Sequence, residues 1–239
     1  VCVWVSVGVA SLDGVLYGGA GDDVRNCSRE RHVIAPIELP HRGGRSLLMD
    51  WGYKDPWFVL GHAVDGDGRI YTYRELYVRQ QRADQVAQSI IKLSGDEDIS
   101  YTVASPDMWQ KRGAILKGDG FEGESLAELF ARGGVPLASA DNARIAGWQR
   151  VRGYMADGAD GKPMWQAFDC CENLIRTLPM LMYSPHNRED AADGEDHGPE
   201  AIRYGLMSRR SKSSIKGPKK RRADDTVSSA RPQKSFMNQ

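Results

Sequence analysis

The stretch RSLLMDWGYKDPWFVLGHAVDGDGRIYTYRELYV, residues 45–78, contains three segments in a row that favour β-structure. Arg45–Trp51 is a short apolar segment, Trp57–Val64 is a second, and Ile70–Val78 is rich in Ile, Tyr and other β-forming residues. The run DGDG at 65–68 is a strong hairpin signal between the last two segments. We therefore expect three sequential strands with antiparallel pairing.

Helical and strand patterns alternate after this stretch. The predicted helices are Ala83–Leu93, Ser125–Arg132, Arg144–Met155, Cys171–Met182 and Ala201–Met207, and the predicted strands are Ile99–Ala104, Val135–Ala138 and Met164–Phe168. Pro199 stands where the first turn of the last helix tolerates it. Three antiparallel strands followed by helix–strand alternation predict an α/β fold, a mixed sheet with helices on both faces.

The ends of the chain differ in composition from its middle. Residues 1–44 are Gly-rich and Pro-punctuated, which predicts a linker or remnant that precedes a folded domain at 45–207. The segment 208–239 contains ten Lys and Arg against two Asp, a net charge of +8, and it is expected to be disordered. Because the whole chain is formally neutral, the part before this tail is −8.

Several classes of protein are disfavoured by composition. The four cysteines have no paired spacing of the kind that binds zinc, and their density is too low for a disulfide framework, so reduced thiols in a cytoplasm are expected. No apolar run is long enough to span a bilayer, so no membrane partner is predicted. The sequence lacks Gly-x-x-x-x-Gly-Lys-Ser/Thr, and no ATPase activity is expected in this chain.

Three acidic segments are candidates for a shared site. Asp50 ends the first predicted strand, Asp107 follows the fourth, and the run EDHGPEAIRY at 195–204 contains Asp196, His197 and Glu200. Taken singly, such residues are ordinary turn formers or helix caps. If the fold brings them together, they form an acidic pocket suited to Mg²⁺ or Mn²⁺, two of which are held about 3.5–4 Å apart in enzymes that cleave phosphodiesters.

Six short motifs occur in an order that points to one family. They are MDWGYKDPW at 49–57, YRELY at 73–77, PDMW at 106–109, NARIAGW at 142–148, NLIRTLP at 173–179 and EDHGPEAIRY at 195–204. In this order, over roughly residues 32–207, the chain resembles the C-terminal nuclease domain of the large terminase subunit of tailed bacteriophages, which has an RNase H-like fold.

The resemblance implies a metal-dependent endonuclease that cuts concatemeric double-stranded DNA during genome packaging, leaving a 5′-phosphate and a 3′-hydroxyl. It implies metal ligands at Asp50 and Asp107 and a third carboxylate in the last motif. The family has Asp where this chain has Glu200, so Glu200 is the expected third ligand and Asp196 the alternative. His197 is expected to orient a ligand or to contact the phosphate.

The resemblance also implies partners beyond the DNA itself. They are the portal protein, the small terminase subunit and an ATPase domain that is separate or missing, in a bacterial host cell with a phage or prophage genome. Two basic groups are candidates for DNA contacts, although a solvated helix face or a solvated terminus explains them equally well: Arg144, Arg150 and Arg152 in one helix, and Lys219, Lys220, Arg221 and Arg222 in the tail.

Two other functions stay open at this point. The Glu in the last motif fits a decayed terminase remnant that only binds DNA or portal, which predicts salt-sensitive DNA binding without cleavage. Another RNase H-like nuclease, such as a junction resolvase, would prefer branched DNA over linear duplex.

Overall fold

The computed structural model describes residues 27–39, 44–52, 55–111, 115–117, 120–181, 190 and 194–209, with the backbone alone for 115–117 and 120–122. Its strands are β1 (Val33–Ile34), β2 (Arg45–Asp50), β3 (Trp57–Val64), β4 (Ile70–Val78), β5 (Ile99–Ala104), β6 (Ile115–Lys117), β7 (Gly120–Glu122), β8 (Leu137–Ser139) and β9 (Trp165–Phe168). Its helices are α1 (Arg29–His32), α2 (Ala83–Ser94), α3 (Leu126–Arg132), α4 (Arg144–Met155), α5 (Glu172–Thr177) and α6 (His197–Ser208), with 3₁₀ turns at Pro106–Trp109 and Leu178–Met180.

Seven of these strands form one mixed sheet in the order β1-β9-β4-β3-β2-β5-β8. The meander β2-β3-β4 is antiparallel, while β5, β8, β9 and β1 join their neighbours in parallel. Strands β6 and β7 form a separate hairpin. The predicted fold class is confirmed: this is an α/β mixed sheet with helices on both faces.

Side chains alternate along β2 between two apolar cores, because successive residues of a strand point to opposite faces of the sheet. Leu48 packs with Phe58 and Leu60 in a core that includes residues of α4, α5 and α6. Leu47 and Met49 pack on the other side, with residues of α2 and α3. Asp50 has the parity of Leu48, so it is directed to the face that α6 covers.

Helix α6 lies very close to the sheet, and two glycines permit this. A Cβ atom at Gly205 would overlap the side chain of Leu48, and one at Gly198 would lie 2.8 Å from Cζ of Phe58. Only a residue without a side chain allows the helix backbone to approach β2 and β3 this closely. The close approach places the first turn of α6 against the end of β2.

Most predicted elements agree with the structure, and the differences have local causes. The last helix begins at His197, with Pro199 in its first turn as expected. The predicted helix Cys171–Met182 ends at Thr177 and continues as a 3₁₀ turn, because Pro179 has no N–H to donate. The hairpin β6–β7 and the 3₁₀ turn Pro106–Trp109 are not anticipated by the sequence patterns.

The ends of the chain are described only in part. Strand β1 lies inside the segment predicted as a linker or remnant and pairs with β9, so residues before 45 contribute to the sheet. The domain boundaries at 44 and 207 stay predictions, and the tail from residue 210 lies outside the described residues. In the described part of the chain, no helix has both the length and the apolarity that a membrane crossing requires.

Candidate active site

The first two predicted carboxylates lie at neighbouring strand ends. Strands β2 and β5 are adjacent and parallel, so their carboxyl ends meet at the same edge of the sheet. Asp50 is the last residue of β2, and Asp107 lies in the 3₁₀ turn that follows β5. The backbone N–H of Ser105 donates to the carbonyl of Met49 at 3.2 Å, which holds the two chain segments together.

The last predicted motif reaches the same edge through α6. Nδ1 of His197 lies 2.7 Å from Oδ2 of Asp50, and this hydrogen bond joins residues 147 positions apart in the chain. Asp50 is buried, while the His197 side chain is 18% exposed and so is accessible from solvent. His197 Nε2 also lies 4.0 Å from a carboxylate oxygen of Asp55. The histidine therefore lies between two acids and orients the buried one.

Two donors hold the carboxylate of Asp107. Nε1 of Trp51 donates to Oδ2 at 2.6 Å, and the hydroxyl of Ser105 donates to Oδ1. Trp51 directly follows Asp50 and Ser105 directly follows β5, so the strand that supplies one acid also orients the other. Donors on both of its oxygens give this carboxylate a defined orientation.

Glu200 has a different environment from the other acids. Its side chain is 5% exposed, and its two oxygens accept hydrogen bonds from Arg144 Nη1 at 2.8 Å and from Arg203 Nε at 2.7 Å. Arg203 is fully buried; it also donates to Oδ1 of Asn142 at 2.9 Å and lies 4.5 Å from the ring of Tyr204. Two guanidinium groups thus compensate the charge of Glu200, whereas a histidine orients Asp50 and an indole and a hydroxyl orient Asp107.

Asp196 precedes α6 without capping it. It occupies the N-cap position, but its side chain accepts no capping hydrogen bond, and it is half-buried. Burial raises the pKa of Asp196, and the charge of Asp50 raises it further, whereas His197 opposes this. Asp196 directly precedes His197, whose hydrogen bond to Asp50 holds the start of α6 at the strand ends.

Charged groups from all three segments act on the carboxyl of Asp50. Burial is the largest cause raising the pKa of this carboxyl; the hydrogen bond and charge of His197 lower it, and the charges of Glu200 and Asp107 raise it again. Burial acts to lower the pKa of His197, but the hydrogen bond to Asp50 and the charges of Asp50, Asp196 and Asp55 outweigh it and raise the pKa. The site is thus a partly buried centre with an excess of negative charge.

The structure brings together Asp50, Asp107, Asp196, His197 and Glu200, and their roles as ligands or catalytic groups stay predictions. Within the described residues, no three His, Cys, Asp or Glu side chains are grouped closely enough to hold an ion as they stand. Four residues that orient the acids were not predicted as partners: Trp51, Ser105, Asn142 and Arg203. Trp51, Asn142 and Arg203 lie inside the quoted motifs, which is the only sequence signal that marked them.

The three arginines of α4 that were predicted to contact DNA do not form one surface. Arg144 is engaged with Glu200 and with Asp190, whose Oδ1 lies 2.9 Å from its Nε. Arg150 and Arg152 are half-buried and lie two residues apart, so they point to nearly opposite sides of α4. Arg150 Nη2 lies 3.5 Å from the carbonyl of Arg209. Lys219, Lys220, Arg221 and Arg222 lie outside the described residues.

Solved structures with the same fold are large terminases. The large terminase of one thermophilic bacteriophage aligns over 76% of this chain and 43% of its own, with a TM-score of 0.60 and 16% identity. The P22 large terminase nuclease domain aligns over 77% of this chain and 91% of its own, with a TM-score of 0.59 and 19% identity. The large terminase nuclease of another thermophilic phage, G20c, aligns over 79% of this chain and 100% of its own, with a TM-score of 0.51 and 11% identity.

These alignments define the class of fold. The chain has the fold of the large terminase nuclease domains, and the resemblance predicted from the sequence motifs is confirmed at that level. No family profile matches the sequence, and no curated protein matches it. The chain spans about 43% of the length of the first of these large terminases, whose remaining part has no counterpart in the alignment.

Proposed function

We propose that this chain is a metal-dependent endonuclease domain of a phage large terminase, which cuts double-stranded DNA during genome packaging. The observation that supports it is the meeting of three segments, distant in sequence, at one edge of the sheet. Asp50 and Asp107 lie at adjacent strand ends, and His197 connects the start of α6 to Asp50 at 2.7 Å. The fold shared with terminase nuclease domains agrees with this reaction class.

The donor set suits a hard divalent cation. Carboxylate oxygens are the ligands that Mg²⁺ and Mn²⁺ prefer. Burial, and after it the charges of Glu200 and Asp107, raise the pKa of Asp50, and a bound cation would favour the ionised form. Asp50, Asp107 and Asp196 would hold such ions. Glu200 would contribute less to their binding, because two arginines already pair with it. Two ions, when bound, would supply an activated water and stabilise the leaving oxygen.

The chain's own residues would position these groups. His197 fixes the orientation of the Asp50 carboxylate, and Trp51 and Ser105 fix that of Asp107. Burial raises the pKa of Glu200, Arg203 and Arg144 oppose this shift, and the two arginines tie the first turn of α6 to α4. Groups held in this way lose little entropy when a phosphodiester binds.

A plasmid-nicking assay tests the proposal. We expect nicking and linearisation of supercoiled DNA with Mn²⁺ or Mg²⁺, no product in EDTA, and loss of activity in Asp50→Asn and Asp107→Asn proteins that unfold at the wild-type temperature. Full activity in both variants would remove the two acids from the mechanism. Double-stranded DNA is the proposed substrate, and portal, the small subunit and an ATPase domain are proposed partners in a bacterial host cytoplasm.

A second candidate function is supported by Glu200. Its ion pairs with Arg144 and Arg203 fit a chain that has lost cleavage and retains DNA or portal binding. That function predicts salt-sensitive DNA binding without nicking at any concentration of Mn²⁺. Cleavage regained in Glu200→Asp protein, with none in the wild type, would identify a decayed enzyme.

A further inference from the structure

A cluster of donors surrounds one carboxylate beside the candidate active site. Arg176 of α5 donates two hydrogen bonds to Glu195, from Nη1 and from Nη2, each at 2.6 Å. The hydroxyl of Tyr77 donates to Oε1 of Glu195 at 3.2 Å, and Nη2 of Arg79 lies 3.8 Å from the same oxygen. Arg79 also donates to the Tyr77 hydroxyl at 2.9 Å. These four residues are called the Glu195 cluster below.

The Glu195 cluster lies at the sheet edge that contains the acids. In the antiparallel register, Phe58 of β3 pairs with Asp50 on one side and with Tyr77 on the other. The rings of Phe58 and Tyr77 meet edge to face at 5.3 Å, and Phe58 lies under Gly198 in the first turn of α6. Glu195 itself directly precedes Asp196 and His197. The donors of the cluster therefore flank the acidic centre on its β4 side.

The geometry of the Glu195 cluster is also the geometry that binds a phosphate. A guanidinium fork places two parallel N–H groups on a pair of anionic oxygens, and it does so equally for a carboxylate and a phosphate. The side chains of Arg79, Arg176 and Glu195 are 49%, 39% and 37% exposed, so solvent and a ligand reach all three. Ion pairs this exposed contribute little to stability, and a polyanion can displace such a carboxylate.

We propose that Arg176, Arg79 and Tyr77 bind a backbone phosphate of duplex DNA, and that Glu195 occupies this phosphate site when DNA is absent. The inference rests on the proposed function, since it places the DNA of that function on a named surface. Because Glu195 is joined to Asp196 and His197 through the backbone, its release when DNA binds frees the segment that supplies the acids of α6. Phosphate binding and the arrangement of the acidic centre are coupled in this way.

The test measures binding of a fluorescent DNA duplex by anisotropy, in EDTA so that no cleavage occurs, over a series of salt concentrations. Glu195→Gln empties the phosphate site of its internal anion, so we expect tighter binding by several-fold. Arg176→Gln removes the fork, so we expect weaker binding by several-fold and a salt slope reduced by about 1. Arg176→Lys keeps the charge without the fork and should bind DNA with intermediate affinity.

A matched ion pair elsewhere controls for net charge. Arg132 of α3 also forks onto a glutamate, Glu124, at 2.6 and 3.0 Å, and α3 packs on the other face of the sheet. Glu124→Gln and Arg132→Gln make the same charge changes, and we expect affinities close to wild type from both. Thermal unfolding of each variant shows that the proteins compared are folded.

Opposite effects of Glu195→Gln and Arg176→Gln on DNA binding distinguish a phosphate site from a purely structural tether. A tether between α5 and the start of α6 is lost in either variant, so it predicts changes of the same sign in DNA binding. Changes of the same sign, or changes no larger than those of the control pair, overturn the phosphate site while nicking by the wild type leaves the proposed function intact. A wild-type protein that neither binds nor cuts duplex DNA overturns both.

Discussion

His197 and Asp50 share a hydrogen bond of 2.7 Å although 147 positions separate them in the chain. The bond joins the end of a central strand to the first residue of the last helix, and so it connects two of the three acidic segments. Asp50 is buried, and no other hydrogen bond to its side chain is described. The orientation of this carboxylate therefore depends on the histidine.

Removal of this histidine should reduce cleavage far more than stability. Groups that orient a metal ligand typically contribute 10–100-fold to metal affinity or activity, so we expect His197→Ala to lower the nicking rate by about that factor. Asp55→Asn is the matched control, because Asp55 lies 4.0 Å from the other ring nitrogen and its side chain is 68% exposed. Equal losses in the two variants would contradict an orienting role specific to Asp50.

Glu200→Gln should destabilise the protein without any metal present. Arg203 is fully buried, and loss of its anionic partner leaves an uncompensated charge, which typically costs about 3–5 kcal/mol. Urea unfolding in EDTA measures this cost as a decrease in the free energy of unfolding. Asp196→Asn is the comparison, since Asp196 is half-buried and does not cap α6, and its effect should be below about 1 kcal/mol.

Asp196→Asn should weaken metal binding more than Glu200→Gln, the reverse of their order in loss of stability. Asp196 has no guanidinium hydrogen bond among those described, whereas both oxygens of Glu200 accept from arginines. We therefore expect Asp196→Asn to weaken Mn²⁺ binding, measured by calorimetry on folded protein, more than Glu200→Gln does. A larger loss in Glu200→Gln, at temperatures where both variants are folded, would assign the third ligand to Glu200 instead.

Glu75 should make stability depend on pH. Burial raises the pKa of its carboxyl to about 7, although donors at the start of α5, the side chain and N–H of Asn173 and the N–H of Leu174, oppose the shift. A folded-state pKa above the unfolded value means that the folded state binds the proton more tightly. The contribution of Glu75 is therefore greatest below about pH 4.5 and decreases as the pH rises through about 7.

Comparison with Glu75→Gln isolates this contribution. Gln does not titrate, so the difference in unfolding free energy, wild type minus variant, should decrease between about pH 4.5 and about pH 7 and become constant above about pH 8. Urea unfolding at closely spaced pH values gives the curve. A difference that increases over this range would mean that the three N–H donors outweigh burial, and that the carboxylate is the preferred form in the fold.

Two glycine substitutions in helices should have effects of opposite sign. Gly205→Ala introduces a Cβ that overlaps Leu48, and overpacking of this kind costs about 1–3 kcal/mol. At Gly153 of α4 an added Cβ would have no atom within 4 Å, so Gly153→Ala should stabilise by about 0.5–1 kcal/mol through helix propensity alone. Thermal unfolding separates the two, and a neutral Gly205→Ala would show that α6 can move away from β2.

The strands and helices that surround the site were largely predictable, because each has a local signal. The bounds predicted for the strands Trp57–Val64, Ile70–Val78 and Ile99–Ala104 and for the helix Arg144–Met155 are the observed ones. Helix α6 begins at His197, two residues before the Pro199 that was expected in its first turn. Gly198 and Pro199 are weak helix formers, and Gly198 packs on Phe58 there. The strands of the hairpin β6–β7 are three residues each, too short for an alternation of apolar and polar residues to be recognised in the sequence.

The partners of the acids were not predictable from local patterns. Trp51 and Asp107 are 56 positions apart, as are Arg144 and Glu200, and their contacts depend on the register of β2 with β5 and on the packing of α4 against α6. A pairing of Arg74 with its neighbour Glu75 is what local sequence suggests, yet Arg74 contacts Glu97 and Glu75 accepts from α5.

The sequence by itself determined the class of fold and the identity of the candidate acids, because hydrophobic period, turn residues and motif order are properties of short segments. The tertiary structure alone decided which acids are neutralised by arginine and which are held by neutral donors or a histidine. Those contacts join residues that only the packing of α4, α5 and α6 on the sheet brings within hydrogen-bonding distance, and the strength of an electrostatic interaction is set by that distance and by burial.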